Sequence, residues 1–70
     1  MKRNEILIAA REKLGKTQKQ VATEIGIAES AYQRYEHGRT TPNAIMGNKI
    51  ARILETTSEK LWGYELPKTL

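Results

Sequence analysis

Apolar residues recur along this chain at spacings of three, four and seven. They alternate nowhere over a useful length, so the pattern predicts helices and no strands. Leu7, Ala10 and Leu14 mark a first helix over about residues 4–14, which Gly15 stops. Thr17 followed three residues later by Gln20 has the form of a capping box, in which hydroxyl and amide each satisfy an orphaned backbone N–H. A second helix then runs to about residue 25 and buries Val21, Ala22 and Ile25. Gly26 suits the left-handed residue that ends it, and Ile27 plugs the turn. A third helix covers about residues 29–37 and ends at Gly38.

Two short amphipathic helices joined by a turn containing glycine form the helix-turn-helix pattern. Downstream, Pro42 disfavours helical geometry at Thr41, and Asn43 is a fair cap for a fourth helix over about residues 44–54. Ile50, Ala51 and Leu54 line its apolar face. Gly47 and Asn48 weaken its middle by about 1 kcal/mol against alanine, unless Gly47 serves to admit another backbone. Thr57 or Ser58 caps a short fifth helix reaching Leu61 or Trp62, with Glu59 in its first turn, where the dipole favours an acid. The last residues, 64–70, show no periodicity and read as a loose tail or a pairing segment. The expected organisation is one helical domain over residues 1–63 followed by that tail.

Seventy residues make one domain near the lower limit for independent folding. Hydrophobic content of 39% and charged content of 29% suit a globular chain rather than a disordered or membrane one. No apolar run is long enough to span a bilayer, and the opening MKRNEILIAA is too short and too quickly charged for a signal peptide, so a cytoplasmic protein is expected. Without cysteine there is neither a disulfide nor a thiolate metal site, and the lone His37 cannot build a histidine zinc site. No metal or cofactor is expected. The net charge of +4 and pI near 9.6 favour an anionic partner such as nucleic acid, although solubility alone accounts for them equally well.

The third helix carries the candidate chemistry. Ser30, Gln33, Arg34 and His37 fall at i, i+3, i+4 and i+7, one continuous polar stripe that Glu29 begins. Ala31, Tyr32 and Tyr35 face the other way, toward the core. A helix of this width fits the major groove of DNA. Arg34 can fork onto O6 and N7 of guanine, Glu29 can accept from the amino group of cytosine, and Ser30 is permissive. Ser30, Glu36 and His37 share one short helix and point differently, so they cannot converge as nucleophile, orienter and base. The expected protein is not an enzyme.

The segment TQKQVATEIGIAESAYQRYEHGRTTPN, followed by IARIL, resembles the lambda-repressor-like Cro/CI (XRE) group of helix-turn-helix proteins over about residues 7–62. The marks are Gln18 after a capping threonine, Ala22, Gly26, the run Tyr35-Glu36-x-Gly38, Pro42, and Ile50-Ala51. In order and at these spacings they are specific. The resemblance implies an all-α fold, a compact five-helix bundle with the helix-turn-helix at helices two and three. It implies a sequence-specific regulator of transcription, most simply a repressor that binds a palindromic double-stranded DNA operator as a homodimer in a phage or mobile-element setting. Glu29, Ser30 and Arg34 then take the base-reading role, with Gln33 a weaker fourth. Thr17, Gln18, Lys19, His37, Arg39, Thr40 and the helix start at Asn43 become phosphate contacts, which position without specifying.

The same resemblance sets Gln18 beside Glu29, where it could hold that acid in place. It pairs Arg11 with Glu36 as a structural ion pair. Leu61 and Trp62 are either core or, with Tyr64, part of a dimer surface. Two other readings use the same bundle: a DNA-binding antitoxin with a toxin partner, and a protein-interaction module with a degenerate site. Departures from the group are Lys16 in place of an aliphatic residue, which loosens the end of helix one, and Ala28 where a capping hydroxyl is common. Gly47 and Asn48 stand in helix four, and Glu55 replaces a common glycine.

Overall fold

The structure, a computed structural model, describes residues 3–63. Five helices and no strand appear among them: α1 (Glu5–Lys13), α2 (Gln18–Ile25), α3 (Glu29–Glu36), α4 (Ala44–Ile53) and α5 (Ser58–Trp62). The expected tail, with Tyr64, lies outside the described residues.

Local chemistry sets the boundaries. Asn4, Thr17, Asn43 and Thr57 each accept a backbone N–H in the first turn of the helix they precede, which satisfies one of the donors a helix start leaves unpaired. Thr17 and Gln20 complete the reciprocal capping box, with Gln20 N to Thr17 Oγ1 at 3.0 Å and Thr17 N to Gln20 Oε1 at 2.7 Å. Between α2 and α3 the chain must reverse within three residues. Gly26 takes φ 91° there, a conformation that a side chain resists. Ala28 occupies the cap position of α3 and, as its methyl side chain dictates, offers no cap hydrogen bond.

One core joins all five helices: Leu7, Val21, Ala22, Ile25, Tyr32, Ile50, Ala51, Leu54 and Leu61. Ala10, Leu14, Ile27, Tyr35, Met46 and Trp62 pack against its edge. Leu61 is 2% exposed, so it is core and has no face to give a dimer. Trp62 is half-buried at the rim. Tyr35, expected in the core beside Tyr32, is only half-buried, because it lies one helical position round toward the groove between α3 and α4. On α1, Ile8 is buried and Ile6 is exposed, a distinction the run ILIAA does not carry by itself.

Asn4 links three parts of the bundle. Its side-chain oxygen caps α1 at Leu7 N (3.0 Å), its amide donates to Leu61 O (2.9 Å), and its backbone N–H donates to Glu36 O (2.8 Å). Lys16 does not leave the end of α1 loose. Its ammonium reaches both carboxylate oxygens of Glu24 at 2.8 and 2.9 Å, while its carbonyl accepts from Arg11 Nη1 at 2.9 Å. The aliphatic contact is replaced by a polar one.

Candidate nucleic-acid interface

α2 packs across α3 and holds it by its buried side. Tyr32 and Glu36, one turn apart, are the buried residues of α3 and face inward. Glu29, Ser30, Arg34 and His37 are exposed, and Gln33 is half-buried between them and α2. The polar stripe is therefore one accessible face spanning residues 29–37.

Cationic and hydroxyl groups flank that face. Lys19 stands exposed on the first turn of α2, and Arg39, Thr40 and Thr41 are exposed in the loop after α3. A shallow groove runs between Arg34 and Tyr35 on one side and Pro42, Asn43 and Ile45 on the other. Thr17 and Asn43 use their side-chain oxygens as caps but keep their hydroxyl and amide hydrogens to donate. Gln18 is half-buried at the start of α2.

Beneath the face lies a charged anchor. Glu36 is 1% exposed, and its carboxylate receives Arg11 Nε at 2.6 Å and Arg11 Nη2 at 3.3 Å. Burial works against its charge, but hydrogen bonds from Arg11 and Gln18, the nearby Tyr32 hydroxyl and the charge of Arg11 outweigh that, so the carboxyl group sits below the usual glutamate range. The hydrogen bond to Glu36 raises the Arg11 pKa, against the effect of its own burial. Burial pushes the Tyr32 phenol up, with Glu36 adding to the effect. The Tyr32 hydroxyl makes no hydrogen bond but lies within electrostatic reach of both charges.

Gln18 does not hold Glu29. Its amide donates to Glu36 Oε1 at 2.9 Å, and its oxygen accepts from Gln33 Nε2 at 3.1 Å. Gln33, one turn on from Glu29, takes that place instead, with Nε2 at 3.5 Å from Glu29 Oε2. Glu36 is buried away from water, so its carboxylate gains more from the Gln18 amide than the exposed carboxylate of Glu29 would. Spacing alone could not show this, because Gln18 and Glu36 meet only through the crossing of α2 and α3.

Among the described residues no group of three or more His, Cys, Asp or Glu side chains could hold a metal ion, and no helix is long and apolar enough to cross a membrane. What the arrangement can do is present a short polar helix, flanked by cations, to a surface with alternating charge and hydrogen-bonding groups.

A helix-turn-helix family model matches residues 7–61. The chain belongs to this helix-turn-helix family, and to its Cro/CI (XRE) type. It is also similar to the cryptic phage CTXphi transcriptional repressor RstR of Vibrio cholerae serotype O1, with 41% identity over 63 residues. That alignment covers 90% of this chain and 56% of the relative, so the chain spans little more than half the relative's length.

Proposed function

We propose that the protein is a transcriptional repressor that reads double-stranded DNA through α3 and binds a palindromic operator as a homodimer. The observation that carries this is the exposed stripe of α3, set on a buried Tyr32–Glu36 root and flanked by Lys19 and Arg39. Glu29, Ser30 and Arg34 read base edges in the major groove, Arg34 as the guanine fork and Glu29 as an acceptor for an amino group. Thr17, Gln18, Lys19, His37, Arg39, Thr40 and the start of α4 at Asn43 touch phosphates and set the register. The name of the Vibrio cholerae relative supports the repressor role and a phage setting. Work on DNA places the protein in the cytoplasm or nucleoid.

So short a face makes few base contacts, and pairing two half-sites about one helical turn apart multiplies them. Selection of bound sequences from a random duplex pool tests the whole reading. The expected result is a palindromic consensus bound by two chains. Equal binding to random and selected duplexes would falsify sequence-specific recognition, and a single half-site bound by one chain would remove the homodimer.

A further inference from the structure

A side-chain amide turned by half a rotation exchanges its donor for its acceptor, so its partners decide which edge it shows. On this protein the decision starts in the core. The Glu36 carboxylate is 1% exposed and held ionised by Arg11 at 2.6 Å, so it can only accept. Gln18 must therefore turn its NH2 group toward Glu36, and it does so at 2.9 Å. Its oxygen is left facing Gln33, which must in turn send its own NH2 inward, at 3.1 Å. The other N–H of that group is directed to Glu29 Oε2 at 3.5 Å. One donor of Gln33 is committed to Gln18 and the other is drawn more weakly toward Glu29, so its oxygen is the group it offers a partner.

Resting on the reading of α3 as the DNA-facing helix, we propose that Gln33 is a specificity-determining residue whose edge is set to acceptor by the Glu36–Gln18 relay, so that it selects a base bearing an exocyclic amino group. In the major groove those bases are adenine and cytosine, whereas guanine and thymine present an acceptor oxygen at the equivalent place. A freely turning glutamine would pair with both N6 and N7 of adenine. Gln33 has no donor for N7, so adenine and cytosine become near equals. Glu29 is also an acceptor, and the two together make this end of α3 reject the keto edge.

The test uses the full chain and duplexes chosen by selection from a random pool. Gln33→Ala identifies the base pair that Gln33 faces, as the position where preference disappears. At that position the unaltered protein should favour adenine or cytosine over guanine or thymine by about tenfold. Purine, which lacks the amino group of adenine, should lose about the same factor, while 7-deazaadenine, which lacks N7, should bind as adenine does. Gln18→Met, checked for folding by thermal melting, frees Gln33 to turn and pair with N6 and N7. At that position adenine should then gain about tenfold over cytosine and 7-deazaadenine should fall below adenine, beside the uniform loss expected of a phosphate contact. The base analogues decide the matter with unaltered protein if Gln18→Met does not fold. The inference is overturned by a preference for guanine or thymine there, by a loss on 7-deazaadenine equal to that on purine in the unaltered protein, by Gln33→Ala changing no base position, or by Gln18→Met leaving adenine and cytosine near equals there. A consensus with guanine or thymine at this position sinks the relay alone, whereas no consensus at all sinks the DNA-reading face with it.

Discussion

Arg11 Nε and Glu36 Oε2 lie 2.6 Å apart with side chains 13% and 1% exposed, which makes this pair the charged fastening between α1 and the end of α3. Removing one partner strands the other charge away from water. Arg11→Met and Glu36→Met should each cost about 3 kcal/mol or more in urea unfolding, and the double replacement should recover part of that loss. Two harmless single changes would reduce the pair to a surface contact.

The same pair sets an acid limit. The Glu36 carboxyl is held below its ordinary value of 4.5 in the folded chain, so its contribution is full above that value and is lost as pH falls through the lower, folded one. Stability of the native protein should therefore decline below about pH 4.5. Glu36→Gln, less stable at neutral pH, should show a flatter decline over that range. Identical slopes for the two proteins would assign the acid sensitivity elsewhere.

Asn4 caps α1 and also donates to Leu61 O, near the other end of the described chain. Asn4→Ala removes both bonds and should cost about 2 kcal/mol. Asn4→Asp keeps the cap oxygen and loses the donor, so it should fall between native and alanine. Thermal melts of the three proteins would establish the order.

Glu55 holds φ 59°, a left-handed conformation that costs a side chain about 1–2 kcal/mol. Glu55→Gly should relieve that strain and, after the added freedom of the unfolded chain, stabilise by about 0.5–1 kcal/mol. A lower melting temperature would mean that Glu55 has a compensating contact.

α3 begins without a side-chain cap. Ala28→Ser should supply one and add about 1 kcal/mol to stability. Denaturant titration would detect the gain as a shifted midpoint with an unchanged slope.

The helices were legible in the sequence because apolar spacing, glycine stops and capping residues are local signals. Thr17 with Gln20, Asn43 and Thr57 cap where their neighbours predict, and observed ends differ from expected ones by about a residue. Which polar residues share the exposed face of α3 was equally legible, since 3.6-residue periodicity decides it. Contacts that depend on how helices cross were not. The partner of Gln18 is Glu36 rather than Glu29, Lys16 finds Glu24, and Asn4 meets Leu61 across 57 positions. Nor does spacing separate Ile8 from Ile6, or place Ile45 at 74% exposure, because an apolar residue on a short helix can be spared from a core this small.

α3 is built like a cantilever. Its root, at Tyr32 and Glu36, is clamped in the core, while its tip at Glu29 and Ser30 stands in solvent with no cap beneath it. Load on the tip and load on the root then have different consequences. Side chains at the tip can be exchanged at a folding cost within about 0.5 kcal/mol, so on the proposed reading the recognised sequence can change while the protein stays folded. Changes at the root threaten the bundle itself. Such a division would let the proposed operator preference vary on a scaffold whose own packing tolerates little change.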